Sequence, residues 1–305
     1  MEFYYQGKNI SSAVDITECI HREHSGNKCD CLEVTLDHAE DWYRWQPETD
    51  DTVSVSLDGY TSGKLFLNTI FPYNGKYRIF ATGLTKAGRT AGNESYTDIT
   101  LKDLIERCAG RCGMEGKLYG MDGTLHYEYL ERTNESTASF INRILTLESA
   151  CFKTVNGRFA GIDILTQQNR TPVQRITVTA GQDGITHIKR EDRKYSTLTI
   201  KTPYATATAY DDGAHSANAI TRTDIPAADA ATALRWARGL LLHNNRQTET
   251  VELETEFNAK LNSMDPVELV SDSEMNGLWM VDEVEHDLIR KRTTATLFRA
   301  ITTIR

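Results

Sequence analysis

Apolar and polar positions alternate along the C-terminal part of the chain, 251–305. The segment 251–257 reads Val-Glu-Leu-Glu-Thr-Glu-Phe, so its side chains change character at every residue. This two-residue period is typical of a β-strand that buries one face and exposes the other to water. Further strand-like runs follow after short turns, at 267–270, 278–286 and 293–300. Because short turns favour antiparallel neighbours, we expect these segments to curl into a β-sandwich or barrel.

The N-terminal part, 1–90, shows the same alternation in short segments between turns. Residues 58–63, Asp-Gly-Tyr-Thr-Ser-Gly, supply a glycine turn of the kind that joins the two strands of a hairpin. The strand-like segments are 2–5, 14–20, 29–36, 52–57, 64–70 and 77–83. Short strands with turns between them predict a second barrel or sandwich.

The hydrophobic period changes to that of a helix at about residue 91. Thr100 is a suitable N-cap, and the residues after it place apolar side chains on one helical face. These residues are Leu101, Leu104, Ile105, Cys108, Ala109 and Cys112. We therefore expect both of these cysteines in the core. A second helix is predicted for about 136–151, and Asn156 with Gly157 predicts a hairpin turn. Residues 91–165 thus form a small α+β module.

A third helix is predicted for about 225–244, with Asp224 as its N-cap and Pro226 in its first turn. Strand-like segments flank this helix on both sides. The predicted fold is therefore mainly β with an α+β insertion. In detail, we expect two similar β-barrel domains, 1–90 and 166–305, which are joined by the α+β module and a helix.

The composition describes an ordinary globular protein and excludes some classes of function. Of 305 residues, 39% are hydrophobic and 25% are charged. No apolar run approaches the ~20 residues of a membrane helix, and the N-terminus does not begin a signal peptide. We expect no membrane insertion, and a chain that is intracellular or exported without a signal peptide. The net charge of -9 and the lack of a basic block argue against nucleic-acid binding. An acidic surface is, however, compatible with a channel through which nucleic acid passes without binding.

Six cysteines in a chain without an export signal are more typical of buried thiols than of disulfides. Cys19, His21, His24, Cys29 and Cys31 lie close together across a predicted hairpin, and zinc favours such ligands. Their spacing differs from that of Cys-x-x-Cys knuckles, and alternate strand positions also bury thiols without a metal. Whether Cys19, His21, Cys29 and Cys31 bind a metal stays open at this point. We assign no metal site and no cofactor.

The sequence contains no motif that points to catalysis. It has no Gly-x-Ser-x-Gly, no glycine-rich phosphate loop and no His-Glu-x-x-His. Five further histidines are scattered and have no neighbouring nucleophile motif: His126, His187, His215, His243 and His286. We therefore assign no catalytic residue and expect a protein that is not an enzyme.

Two ladders of acidic residues occupy alternate positions of predicted strands. They are Glu252, Glu254 and Glu256, and Glu283, Glu285 and Asp287. Paired carboxylates in a cleft can do acid–base work. Acids at every second residue are, however, more typical of the solvent-exposed face of a sheet. We interpret both ladders as surface that lines a space.

Several stretches, taken in order, carry a family resemblance over nearly the whole chain. They are 5–10 followed by Val14, 42–47 ahead of 51–55, 101–109, 137–144, and 277–286 followed by 294–297. The most telling is Gly-Leu-Trp-Met-Val-Asp-Glu-Val-Glu-His before a Thr-rich strand, which looks like a closing hairpin. In this order they resemble the phage late control D family, tail baseplate hub proteins related to the base of the type VI secretion spike protein.

The resemblance implies a structural baseplate hub protein of a contractile phage tail or a related injection machine. Family members place two similar barrels per subunit in a trimer, so that six quasi-equivalent barrels continue a six-fold tail tube and meet a three-fold spike. The implied partners of the homotrimer are the tail tube protein above, the spike protein below and other baseplate proteins. DNA or tape-measure protein would pass through an acidic lumen without specific binding. The implied location is the virion tail baseplate or a phage-like injection particle, assembled in the bacterial cytoplasm.

Two alternatives from other functional classes stay open. A tail-associated cell-wall hydrolase would need two close carboxylates or a metal in a cleft. A carbohydrate-binding β protein would stack sugars on Trp42 and Trp45, a pair that otherwise predicts packing at a domain edge or a subunit contact. The family has no catalytic residues to carry over, and none is assigned.

Overall fold

The computed structural model describes residues 1–26, 28–38 and 46–305 of the chain. Strands make up 47% and helices 18% of the structure. The predicted class, mainly β with an α+β insertion, is confirmed. Within the described residues, no helix has the length and apolar character needed to cross a membrane.

The elements follow one another from a strand-rich start through a mixed middle to a strand-rich end. The N-terminal elements are β1 (Glu2–Tyr5), β2 (Lys8–Asn9), β3 (Ile16–His24), β4 (Cys31–Leu36), β5 (Thr52–Leu57), β6 (Tyr60–Thr61), β7 (Leu65–Tyr73) and β8 (Lys76–Thr82). The middle elements are α1 (Lys86–Arg89), β9 (Ala91–Thr100), α2 (Leu101–Arg111), β10 (Glu115–Tyr119), β11 (His126–Ser136), α3 (Thr137–Leu147), β12 (Ala150–Val155), β13 (Arg158–Asp163) and α4 (Ile164–Gln168). The C-terminal elements are β14 (Gln174–Thr177), β15 (Ile185–Lys189), β16 (Thr197–Lys201), β17 (Thr206–Tyr210), β18 (Ala219–Arg222), α5 (Ala230–Asn245), β19 (Glu249–Glu256), β20 (Pro266–Val270), β21 (Gly277–Asp287) and β22 (Arg292–Arg299).

The N-terminal strands pair in the order β2-β1-β5-β7-β8-β4-β3, and β6 pairs with β5. Every second side chain points into one core, which includes Phe3, Cys19, Leu32, Val34, Val55, Leu67 and Ile79. The predicted glycine turn is present between β5 and β6, where Asp58 and Gly59 both have positive φ. Glycine adopts this conformation without strain.

The C-terminal strands pair in the order β15-β19-β22-β21-β20-β14. The runs predicted from the alternation are present as β19 to β22 and pair antiparallel, whereas β14 and β20 run parallel. Trp279 is fully buried in their core together with Leu253, Leu269, Val281 and Leu297. Its indole Nε1–H donates to the carbonyl of Met275 at 2.8 Å, which satisfies the one polar atom of the side chain.

One strand pair joins the two ends of the chain. β21 lies antiparallel to β3, with Glu283 opposite His24 and Asp287 opposite Ile20. Both sets of strands therefore belong to a single hydrogen-bonded sheet of 14 strands. Because backbone hydrogen bonds cross the junction, strand pairing holds the two halves side by side.

The middle part confirms the first predicted helix and shortens the second. Thr100 caps α2 by accepting the Asp103 N–H at 3.2 Å, and Cys108 and Cys112 are buried as predicted. Helix α3 ends at Leu147 because Ser149 takes a φ of 61° and the chain turns into β12. The predicted continuation of this helix to residue 151 is wrong. The hairpin predicted after β12 is confirmed.

Helix α5 begins later than the sequence predicts. Its N-cap is Asp229, whose carboxylate accepts the Thr232 N–H at 2.8 Å. Asp224, the predicted cap, instead forms an ion pair with Arg222 at 2.6 Å. The predicted start is therefore wrong, because a charged partner two residues away binds the carboxylate. The predicted end near residue 244 is confirmed, since the helix ends at Asn245.

Helix α5 and the sheet β17-β16-β18 pack against the helices and strands of the middle part. Their shared cluster includes Phe140, Leu145, Leu198, Ile200, Trp236, Ala237 and Leu241. Gly239 permits this packing, because a Cβ there would lie 2.2 Å from the carbonyl oxygen of Leu147. The division into 1–90, 91–165 and 166–305 stays a prediction.

Candidate functional site

A buried cluster of charged side chains lies where the N-terminal strands, the middle part and the C-terminal strands meet. Lys153 of β12 places its Nζ 2.8 Å from Oε2 of Glu23 in β3 and 3.1 Å from Oδ2 of Asp30. It also donates to the hydroxyl of Ser263, in the loop before β20. Lys153 and Glu23 are each 7% exposed and Asp30 is 6% exposed. We call these four residues the junction cluster.

A tyrosine and two histidines lie between the junction cluster and the cores of the N-terminal and C-terminal strands. The hydroxyl of Tyr60 hydrogen bonds to Nδ1 of His21 and lies 3.4 Å from Oε1 of Glu23. The ring of His286 packs against that of Tyr60, with centroids 4.5 Å apart. The ring nitrogens of His286 lie 2.9 Å from the hydroxyl of Thr293 and 3.2 Å from the carbonyl of Leu261. Tyr60 is thus hydrogen bonded to β3 of its own half and packs by its ring against β21 of the other half.

The charges of the junction cluster shift one another's ionisation. Burial raises the pKa of Asp30 to about 6, and Lys153 opposes this shift. Burial acts in the same direction on Glu23, but Lys153 and His21 outweigh it and hold the pKa of Glu23 at about 2. Burial lowers the pKa of His21 to about 4, so its imidazole is neutral near pH 7. Burial opposes protonation of Lys153, but Asp30 and Glu23 raise its pKa above the ordinary value.

These side chains fit a structural role better than a catalytic one. A lysine between two carboxylates can in principle move protons. At exposures of 7% or less, however, a substrate has no access to Lys153, Glu23 or Asp30. A buried charge requires a partner, and each of these residues reaches its partner across a boundary between parts of the fold. The cluster therefore fixes how those parts meet.

The opposite face of β3 and β21 carries a second set of charges, which is open to solvent. Arg22 Nε lies 2.6 Å from Oε2 of Glu285 across the junction and its Nη1 lies 3.5 Å from Glu33. Glu33 in turn lies 2.6 Å from Arg78. Farther along the sheet, Thr294 stands opposite Glu285. A polar row thus runs across strands from both halves of the molecule.

The acidic ladders predicted from the sequence lie on this face. Glu252, Glu254 and Glu256 are exposed, as predicted. The other three acids are partly buried and paired. Glu283 lies 3.2 Å from His24, Glu285 pairs with Arg22, and Asp287 lies 3.6 Å from Arg290. Both ladders thus lie on one face of the sheet, whereas the interpretation that they line a space stays a prediction.

The cysteines and histidines of the first hairpin are distributed over both faces of the sheet. Cys19 is buried in the N-terminal core, and His21 contacts Tyr60. His24 lies on the other face beside Glu283. Burial raises the pKa of Cys19 and of Cys29 to about 12, which disfavours the thiolate that zinc binds. Among the described residues, no group of three His, Cys, Asp or Glu side chains is placed to hold a metal ion.

The remaining histidines that the sequence analysis considered have separate contacts. His126 pairs with Asp98 at the surface, His187 lies 3.2 Å from Glu249, and His243 contacts the carbonyl of Ala150. His215 is exposed. Of this group, and within the part of the chain that the structure describes, only His286 lies near the junction cluster. It packs against Tyr60, as His21 does. Trp42 and Trp45 lie outside the described residues.

The sequence interpretation missed the central members of the junction cluster. Glu23 shares the buried phase of β3 with Cys19 and His21, and Lys153 is a lysine inside a run of apolar strand residues. A charged residue in a buried phase predicts a buried partner. That signal was available, but it does not identify which distant residue the partner is.

Comparison with known proteins finds similarity in structure but not in sequence. The sequence matches no protein-family model, and no curated protein sequence is significantly similar to it. A 43 kDa tail protein of prophage MuSo2 from Shewanella oneidensis is similar, with a TM-score of 0.74 and 10% identity over 99% of each chain. A tail protein from Neisseria meningitidis MC58 has a TM-score of 0.72 and 10% identity over 98% of this chain and 95% of its own.

A third similar structure comes from a secretion machine. It is an E. coli component of the type VI secretion system, described as structurally similar to T4 bacteriophage tail proteins. Its TM-score is 0.59, at 12% identity over 97% of this chain and 76% of its own. The fold expected from the family resemblance, that of phage tail proteins and their type VI secretion counterparts, is thereby confirmed.

Proposed function

We propose that this chain is a structural baseplate hub protein of a contractile phage tail or a related injection machine. The observation that carries the proposal is the pairing of β3 with β21, which sets two strand-rich halves side by side in one sheet. The similarity in fold to phage and prophage tail proteins over nearly the full chain supports it.

The proposed assembly is a homotrimer that adapts a six-fold tail tube to a three-fold spike. Each chain contributes two neighbouring halves, so three copies offer six similar positions without strained contacts. The tail tube protein would bind above, the spike protein below and other baseplate proteins around the trimer. The junction cluster would serve this role by holding the two halves and the middle part in one orientation, because its buried charges are satisfied only in that arrangement.

The exposed face of the shared sheet is the surface that we propose for the lumen. On its strands β3, β4, β8, β19, β21 and β22, acids outnumber bases. The acids are Glu18, Glu33, Glu252, Glu254, Glu256, Glu283, Glu285 and Asp287, and the bases are Arg22, Lys76, Arg78 and Arg292. An acidic wall repels the phosphates of DNA, so DNA or tape-measure protein would pass without specific binding. In this proposal the chain is located in the tail baseplate of the particle, assembled in the bacterial cytoplasm.

The test is a measurement of mass and position in the assembled particle. Native mass spectrometry of the chain with its spike partner is expected to show three copies, and electron cryo-microscopy of the tail is expected to place β19 and β22 next to the channel. Six copies, or a position outside the channel wall, would refute the hub role. Enzymatic function is not part of the proposal, because the carboxylates Glu23 and Asp30 are buried and form ion pairs with Lys153.

Charge reversals on and off the proposed channel face test the lumen separately. Glu252→Lys with Glu254→Lys places cations on the proposed channel wall, and Glu274→Lys places one in a turn away from that face. If the face lines the channel, the first pair slows genome or cargo delivery and the control does not. If both variants deliver equally well, the proposal that this face lines the channel is wrong. The trimer proposal is tested independently by the mass measurement.

A further inference from the structure

Three cationic side chains line a cleft in the middle part of this acidic chain. Its volume is about 540 Å³, and its walls come from α1, the end of α2, the end of β11 and the start of α3. The side chains of Lys86, Arg111 and Arg132 line it, with Asp50 at one side. The whole chain carries a net charge of -9, so the local charge of this cleft is opposite in sign to that of the protein as a whole.

The carboxylates near the cleft are already bound by other groups. Asp50 accepts the backbone N–H of Lys86 at 2.7 Å and lies 3.6 Å from Arg89. Glu94, beside the cleft, is shared by three guanidinium groups. They belong to Arg107 at 3.7 Å, Arg132 at 3.6 Å and Arg111 in direct contact. One carboxylate cannot neutralise three cations, so positive charge is left over towards the cleft.

Arg132 is held in place for binding. Its side chain is only 13% exposed, and its Nη1 donates to the hydroxyl of Thr137 at 2.7 Å. Thr137 is the first residue of α3, whose N-terminal end adds positive potential. The Nε–H of Arg132 is buried and has no hydrogen-bond partner among the described residues. A buried donor without a partner is unfavourable, and an anion that accepts this bond would relieve it.

We propose that this cleft binds a carboxylate of a partner protein, carried by a short acidic segment. Arg132 already donates its Nη1 to Thr137 and faces Glu94 with its Nη2, so its Nε–H is the donor left for a carboxylate, and Lys86 adds a mobile second charge. A nucleic acid fits less well, because its extended row of phosphates would meet the acidic surface beyond the cleft. The proposal concerns a surface that is separate from the shared sheet, and it does not depend on the hub role.

The experiment follows the side-chain Nε–H signals of the arginines by NMR during titration. Three probes are used at equal ionic strength: the dipeptide N-acetyl-Glu-Glu-amide, inorganic phosphate and a single-stranded oligonucleotide. We expect the dipeptide to move the Arg132 Nε–H signal and to saturate in the millimolar range. Phosphate that binds more tightly than the dipeptide, or an oligonucleotide that moves the same signal more strongly, would overturn the assignment to a peptide carboxylate.

Two variants separate binding from folding. Lys86→Gln changes an exposed side chain at the rim and is expected to weaken dipeptide binding measurably, by no more than about tenfold, while Arg132→Gln weakens it by at least about tenfold. Arg238→Gln, on the exposed side of α5, is the matched control and leaves binding unchanged. If Lys86→Gln folds normally and binds as the unchanged chain does, the cleft is not the site. An equal loss in Arg238→Gln would also refute the proposal, since it would show screening by overall charge.

Discussion

Two neighbouring residues of β3 form ion pairs of almost the same length on opposite faces of one sheet. Arg22 meets Glu285 at 2.6 Å on the exposed face, and Glu23 meets Lys153 at 2.8 Å in the junction cluster. Their surroundings differ. The side chains of the outer pair are 28% and 36% exposed, whereas those of the inner pair are 9% and 7% exposed. Burial, and not distance, therefore decides how strongly each pair constrains the fold.

The largest effect is expected from removal of the buried cation. Lys153→Met leaves Glu23 and Asp30 without their partner in a place that water does not reach. Loss of one member of a buried pair lowers the free energy of unfolding by about 3–5 kcal/mol. Denaturant unfolding measures this loss, with the exposed Lys260→Met as control. Further substitution of Glu23→Gln and Asp30→Asn should restore part of the stability, and no recovery would contradict the buried-charge explanation.

The second effect is a pH dependence that can be assigned to Asp30. Its pKa of about 6 in the folded chain lies above the ordinary 3.8, so the folded state holds a proton that the unfolded state releases. The unfavourable ionised form is thus present at pH 7 and is removed as the pH falls through 6 towards 4. Relative to Asp30→Asn, the unchanged chain should gain about 2–3 kcal/mol over that window.

This prediction is measured as a difference between the two proteins. His21, with its pKa lowered to about 4, lowers the stability of both proteins as the pH falls below 6.5, because only the unfolded state takes up a proton there. Glu23 does the same below its ordinary value. A pH-independent difference between the chain and Asp30→Asn would show that Asp30 stays ionised in the folded state.

The third effect concerns the Tyr60 hydroxyl, which lies between His21 and the carboxylate of Glu23. Tyr60→Phe removes the hydroxyl group that bonds to His21 Nδ1 and leaves this buried atom without its partner. The expected loss is about 1–3 kcal/mol of unfolding free energy. Tyr210→Phe, at a tyrosine that is 48% exposed, is the control. Equal losses from both variants would indicate that the Tyr60 hydroxyl makes no specific contribution.

The smallest effect is expected on the exposed face. Arg22→Gln breaks the pairs with Glu285 and Glu33, but solvent screens the charges that remain. The expected loss is about 0.2–1 kcal/mol, and it should shrink further at high salt. Denaturant midpoints at low and high ionic strength measure it. A loss as large as that of Lys153→Met would remove the distinction between the two faces.

Local patterns predicted the elements well where one feature dominated. The two-residue alternation predicted β19 to β22, and Thr100 was identified as the cap of α2. Prediction failed where a nearby side chain competed. Asp224 satisfies the cap pattern, yet Arg222 binds its carboxylate, and Asp229 caps α5 instead. The end of α3 was missed because the positive φ of Ser149 is not a property that an apolar helical stripe reveals.

The sequence by itself determined the strand phases, the acidic faces, the core cysteines and the mainly β class, because these depend on residues a few positions apart. Only the tertiary structure decided that β3 pairs with β21, that Lys153 lies between Glu23 and Asp30, and that Trp236 shares a core with Phe140. Each of these contacts joins residues that are distant along the chain. Such pairings depend on the joint packing of all the elements, and alternation within one strand carries no information about which distant strand becomes its neighbour.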